Sequence, residues 1–121
     1  MPGEPATVLV VDDDPSLRLL CRVNLELEGY RVVEAESIGR AQEALERGSV
    51  DAVLLDVHLG SEDGLALLPS IADRGPAVAL LTGSPGADLP DGAAVIGKPF
   101  SIEVLSRTVR RLVSGTDGRS G

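Results

Sequence analysis

In the stretch Asp51-Ala52-Val53-Leu54-Leu55-Asp56, four apolar residues run without a break and stop on a carboxylate. Such a run, with a β-branched residue in it, reads as a strand buried on both faces. In open α/β sheets, ligands bind at the carboxyl ends of the strands, so Asp56 stands where chemistry is expected. Taken alone, an Asp after a strand is more often a turn former. The rest of the chain decides between these readings.

Thr7-Val8-Leu9-Val10-Val11 is a second run of the same kind, and it too ends on acid, at Asp12, Asp13 and Asp14. Pro15 suits a first helical turn and Asp14 its N-cap. That helix is predicted to run to about Glu28, closed by Gly29, with Leu17, Leu20, Cys21, Leu25 and Leu27 on a broad face and the polar Asn24 in its middle. The alternation over Tyr30–Ala35 predicts a less buried strand. Ser37 caps a second helix to about Arg47, with Ile38, Ala41, Ala44 and Leu45 inward and Gly48 ending it. After Asp56, residues 57–63 read as a loop and 64–74 as a third helix with Leu65, Leu68 and Ile71 inward; Pro69 must kink or shorten it. Ala77–Leu81 is another buried strand, ending at Thr82. Residues 83–97 hold four glycines and two prolines, which predicts no long helix, at most one turn near Ala87–Leu89, and a short fifth strand at Ala93–Ile96. After Lys98-Pro99-Phe100, Ser101 caps a final helix with Ile102, Leu105, Val109 and Leu112 at helical spacing and Arg110 and Arg111 in its last turn.

The alternation of strands and helices predicts one α/β domain over residues 7–113, between a disordered start (1–6) and a flexible tail (114–121). Right-handed crossovers leave few topologies, and the one expected is a flavodoxin-like, doubly wound, five-stranded parallel sheet of order 2-1-3-4-5, with helices on both faces and the fourth helix short or missing.

Composition narrows the function. The chain has 121 residues, a formal charge of −8 and one cysteine. The negative charge argues against direct binding of nucleic acid or an anionic membrane, and the lone cysteine excludes an internal disulfide and fits a cytoplasmic setting. Trp is absent and there is one Tyr and one Phe, so no aromatic platform for single-stranded nucleic acid is expected. Of the 11 basic residues, Lys98 is the only lysine. A site that needs a compact charge on a slim stem would tolerate Arg poorly.

With strands one and three adjacent, Asp12, Asp13 and Asp56 converge. Three close carboxylates repel unless a cation joins them, and a hard divalent ion, Mg²⁺ or Mn²⁺, is the expected partner. Thr82 and Lys98 close the same cleft from strands four and five. A hydroxyl and an ammonium facing a carboxylate make sense if Asp56 is a phosphoryl acceptor.

These residues carry a resemblance. Val-Val-Asp-Asp-Asp-Pro at 10–15, Leu-Leu-Asp-Val at 54–57 with Asp-Gly at 63–64, Leu-Thr-Gly at 81–83 and Lys-Pro-Phe at 98–100 together resemble the receiver domains of two-component response regulators, of the chemotaxis single-domain type. The resemblance spans Val8 to about Leu112. It implies that Asp56 accepts the phosphoryl group, and that Asp12, Asp13, Asp56 and the His58 backbone carbonyl hold Mg²⁺. It further implies that Thr82 turns toward the phosphoryl group, with Gly83 leaving room, and that Lys98 clamps it. The Lys98–Pro99 bond is cis in many such proteins. The side chains at His58 and Ser84 match positions that tune the phosphoryl lifetime, although the His58 side chain by itself reads as a solvated loop group.

Three departures stand out. Gly60 replaces a common proline, which predicts a looser loop. The span from Thr82 to Lys98 is short. Val95 stands where the family usually carries a switching Tyr or Phe. The implied function is a regulatory phosphoacceptor rather than an enzyme. It would take its phosphoryl group from a histidine kinase or histidine phosphotransfer protein and signal to a downstream protein partner; a homodimer is left open. The alternatives are a degenerate receiver that docks or dimerises without phosphorylation, and a small phosphotransferase or phosphatase. The last ranks lowest, because haloacid-dehalogenase-like enzymes want a second acid where this chain has His58.

Overall fold

The computed structural model describes residues 4–84 and 89–117. The chain runs β1 (Thr7–Val11), α1 (Pro15–Leu27), β2 (Arg31–Ala35), α2 (Ile38–Arg47), β3 (Ala52–Asp56), then a short hairpin of β4 (His58–Leu59) and β5 (Glu62–Asp63). A 3-10 turn at Gly64–Leu67 leads into α3 (Leu68–Arg74), followed by β6 (Ala77–Thr82), β7 (Ala94–Gly97) and α4 (Ile102–Asp117). Five strands form a parallel sheet in the order β2-β1-β3-β6-β7, the expected 2-1-3-4-5 topology.

Burial follows the two-residue period of a strand. Leu9, Val11, Val53, Leu55 and Leu80 pack on one face against Ala41, Ala44, Leu45, Leu67 and Ile71. Val8, Val10, Leu54, Ala79, Leu81 and Ile96 pack on the other against Cys21, Leu25, Leu105 and Val109. The central strands β1 and β3 are buried at every position, as their unbroken apolar sequences require.

The capping expectations hold. Asp14 accepts from the backbone N–H of Ser16 and Leu17, Ser37 from Arg40 and Ser101 from Val104. Gly29 closes α1 with φ +97°.

Three local expectations are corrected, and the shortening of the third helix by its proline is met. The broad face of α1 is narrower than predicted: Cys21 and Leu25 are buried, but Leu20 and Leu27 are exposed. Only two residues of α1 face the sheet squarely, and Asn24 turns back to donate to the Leu20 carbonyl. The predicted loop after Asp56 contains the β4–β5 hairpin, in which Gly60 (φ +60°) makes the turn. Glu62 ties that hairpin to α2 by accepting from the Ile38 N–H at 3.1 Å, so Gly60 gives a built turn rather than a looser loop. The third helix divides at the predicted proline: the 3-10 turn ends at Leu67, and Pro69 stands in the first turn of α3, where its missing N–H costs nothing. Leu67 and Ile71 are the residues it buries deepest. Helix α4 continues to Asp117, so Arg110 and Arg111 lie before its last turn. The predicted turn at Ala87–Leu89 falls mostly outside the described residues.

Candidate functional site

Strand register brings the acids together. Val11 pairs with Leu55, so the chain leaves β1 at Asp12 beside the last residue of β3, Asp56. Carboxylate oxygens of Asp12, Asp13 and Asp56 lie within 4.8 Å of one another; Asp12 and Asp56 are buried and Asp13 is exposed. On the other side of Asp56, Leu81 pairs with it and Thr82 follows; Thr82 in turn pairs with Gly97, which delivers Lys98. The Lys98 N–H donates to the Thr82 carbonyl at 2.8 Å, and the Lys98–Pro99 peptide is cis.

Lys98 reaches into the acids. Its Nζ donates to Asp12 Oδ2 at 3.1 Å and to Asp56 Oδ2 at 3.2 Å. The remaining oxygens are held by backbone: Asp12 Oδ1 accepts from the Asp14 N–H at 2.9 Å, and Asp56 Oδ1 from the His58 N–H at 3.1 Å. The His58 side chain is exposed. Thr82 Oγ1 accepts from the Ser84 N–H at 3.0 Å.

Burial pushes the Asp12 carboxyl above its ordinary range, with the Asp56 charge adding to the effect against the hydrogen bonds from Asp14 and Lys98. Burial works to lower the Lys98 ammonium, yet its hydrogen bond to Asp12 and the charges of Asp12 and Asp56 outweigh that and raise it. With all four groups ionised, three carboxylates and one ammonium carry a net −2. A divalent cation fits that charge, and an all-oxygen donor set suits a hard ion such as Mg²⁺.

Asp12, Asp13, Asp56 and Lys98 are therefore brought together, with Thr82 at the end of the strand next to Asp56 and the His58 N–H on its carboxylate. Two further residues were not singled out. Gly64, read only as part of an Asp-Gly motif, packs so closely on the Asp56 carbonyl oxygen that a β-carbon would collide with it. Arg18 donates from Nη1 to the Asp12 carbonyl at 2.7 Å and from Nε to Glu34 Oε1 at 3.0 Å. The Glu34 partner lies 16 residues away, on another element, so no local pattern in the sequence reveals the pair.

The response regulator receiver domain family matches residues 8–110. Among curated proteins, the chain is 36% identical over 94 residues to the transcriptional regulatory protein GlrR of Escherichia coli, covering 78% of this chain and 21% of that protein. It is 34% identical over 122 residues to the probable transcriptional regulatory protein TcrX of Mycobacterium tuberculosis, covering 94% of this chain and 52% of that one. The chain thus spans about half or less of these relatives. Among solved structures, a CheY-like receiver domain from Methanospirillum hungatei superposes with a TM-score of 0.82 at 25% identity, covering 93% of this chain and 98% of that one. The receiver domain of NtrX from Brucella abortus superposes with a TM-score of 0.76 at 29% identity, covering 88% and 98%. With its sheet order, its acidic cleft and a family match over most of its length, this chain belongs to the response regulator receiver domains of two-component signalling.

Proposed function

We propose that Asp56 is the phosphoacceptor of this receiver domain. The observation that carries the reading is Lys98, which reaches from the end of β7 to the carboxylates of both Asp12 and Asp56. The donor is a phosphohistidine on a histidine kinase or histidine phosphotransfer protein. An Asp56 carboxylate oxygen forms the new O–P bond as the N–P bond breaks, and the leaving imidazole nitrogen keeps the electron pair and takes up a proton. Lys98 balances the charge that gathers on the phosphoryl oxygens. The Thr82 hydroxyl, at the end of the neighbouring strand, exchanges its hydrogen bond with Ser84 for one to the phosphoryl group.

Asp12, Asp13 and Asp56 hold Mg²⁺ or Mn²⁺ together with the His58 carbonyl, and the ion supplies positive charge to the phosphoryl oxygens when bound. The chain acts as a regulatory phosphoacceptor, with at most metal-dependent self-phosphorylation from a small phosphodonor and self-dephosphorylation. Its output is a changed contact with a downstream protein rather than direct binding of nucleic acid. A cytoplasmic site of action goes with this reading; the unpaired cysteine supports it.

The test is an intact-mass spectrum after incubation with acetyl phosphate, with and without Mg²⁺. One Mg²⁺-dependent phosphoryl adduct that Asp56→Asn abolishes is expected. An equal adduct in the Asn variant would refute Asp56 as acceptor. No adduct and no Mg²⁺ binding would favour a docking module that works without phosphorylation, the reading that Val95 in place of a switching aromatic supports.

A further inference from the structure

We propose that Arg18 is a positioning residue for the acidic cluster, held in place by Glu34 and acting through the backbone of Asp12. The inference rests on the reading of Asp12 and Asp13 as metal ligands.

The Asp12 carbonyl belongs to the peptide that joins Asp12 to Asp13. Arg18 Nη1 donates to that oxygen at 2.7 Å, a short, charge-assisted bond. Its Nε donates to Glu34 Oε1 at 3.0 Å. The guanidinium is a rigid planar fork, so the place of the Glu34 carboxylate sets the place of the Asp12 carbonyl. Glu34 is itself fixed on its second oxygen by Arg22 Nη1 at 3.1 Å. The other side of Asp12 is tied to the same strand end, because its N–H donates to the Ala35 carbonyl at 3.0 Å. Both backbone groups of Asp12 are thus anchored to the last two residues of β2, one directly and one through Arg18. Arg18 is only 17% exposed, which screens the contact from water.

The arrangement answers a problem set by the cluster. Asp12, Asp13 and Asp56 repel, and Asp13 stands on a loop with no side-chain partner of its own to set its direction among the hydrogen bonds described. Fixing the Asp12–Asp13 peptide limits how far the two carboxylates can turn apart. Groups that orient metal ligands in this way are worth about 10- to 100-fold in metal affinity.

The experiment uses the whole chain. Mg²⁺ half-saturation is measured by calorimetry, and amide exchange at Asp13 and Asp14 is measured without metal. Arg18→Ala is expected to raise the half-saturation concentration about tenfold and to speed exchange at Asp14. Arg22→Ala, which loosens Glu34 without touching Asp12, is expected to weaken Mg²⁺ binding less than Arg18→Ala does, and an equal loss would assign the effect to surface charge rather than to the Asp12 contact and overturn the proposal. Arg18→Lys, which keeps the charge but not the fork, is expected to fall between. A folded Arg18→Ala chain that binds Mg²⁺ like the parent overturns the proposal. If Arg18→Ala does not fold, Glu34→Ala, which removes the acceptor of Arg18 Nε, decides in its place: weaker Mg²⁺ binding supports the proposal, and unchanged binding overturns it. A parent chain that fails to bind Mg²⁺ refutes the metal reading itself.

Discussion

The α-carbon of Gly64 lies against the carbonyl oxygen of Asp56, with no room for a β-carbon between them. The Gly64 N–H also donates to the Val57 carbonyl at 2.7 Å. The start of the 3-10 turn is therefore laid directly on the backbone of the proposed acceptor. The requirement is for space, since Gly64 is not among the glycines of positive φ.

Gly64→Ala should push the β5–α3 junction away from Asp56. Overpacking of this kind destabilises by about 1–3 kcal/mol. Urea unfolding would report the loss, and acetyl phosphate labelling should slow. An alanine variant with parental stability and labelling would show that the contact yields freely.

Asp12 is expected to weaken the metal-free fold. The folded chain keeps its proton above the ordinary value of 3.8, so it binds more protons than the unfolded chain just above that pH, and stability falls as pH rises through the raised value. Asp12→Asn should raise the urea midpoint at neutral pH without metal, and should reduce the gain in midpoint that Mg²⁺ gives the parent. A lower metal-free midpoint in the variant would contradict this.

Alkaline pH should destabilise the chain. Burial pushes the Cys21 thiol up from 9.0 to about 11, so the unfolded chain loses this proton first and stability falls between those values. The loss is on the order of 2–3 kcal/mol. Lys98 acts in the same direction: its raised ammonium stabilises fully below 10.5, and that contribution is lost as pH rises through the folded value. Cys21→Ala should lower stability at pH 8 through its cavity, yet flatten the decline toward pH 11. An undiminished slope in that variant would remove Cys21 from the account.

The β4–β5 hairpin should depend on Glu62. Replacing it with Ala leaves the Ile38 N–H at the start of α2 to water, which weakens the fold by about 0.5–1.5 kcal/mol. Amide exchange at residues 58–63 should speed up. Unchanged exchange there would mean that the turn at Gly60 holds the hairpin alone.

Val95 is 38% exposed on β7, where no ring is available to move between a buried and an exposed position. Activation with beryllofluoride and Mg²⁺ should therefore change amide exchange mainly around Asp56 and Thr82 and little along Ala94–Gly97. Broad changes along β7 would show that a smaller side chain suffices for the switch.

The architecture was legible because it depends on local signals. Unbroken apolar runs at Val8–Val11 and Ala52–Leu55 read as strands covered on both faces, and α1, α2 and α4 each begin at a side-chain cap. The order of elements then left few topologies, and in the one in which the first and third strands are neighbours the acids at their ends meet. What the tertiary structure alone decided lies in contacts between distant residues. The exposure of Leu20 and Leu27 depends on how much of the apolar face of α1 the packed elements cover, which periodicity does not encode. The hairpin after Asp56 is joined by Glu62 to the start of α2, 24 residues away. Arg18 looks like any surface arginine until β2 brings Glu34 beside it. Local sequence fixes backbone conformation and the side that is buried; which side chain meets which backbone group is set only when the packed elements bring them within hydrogen-bonding reach.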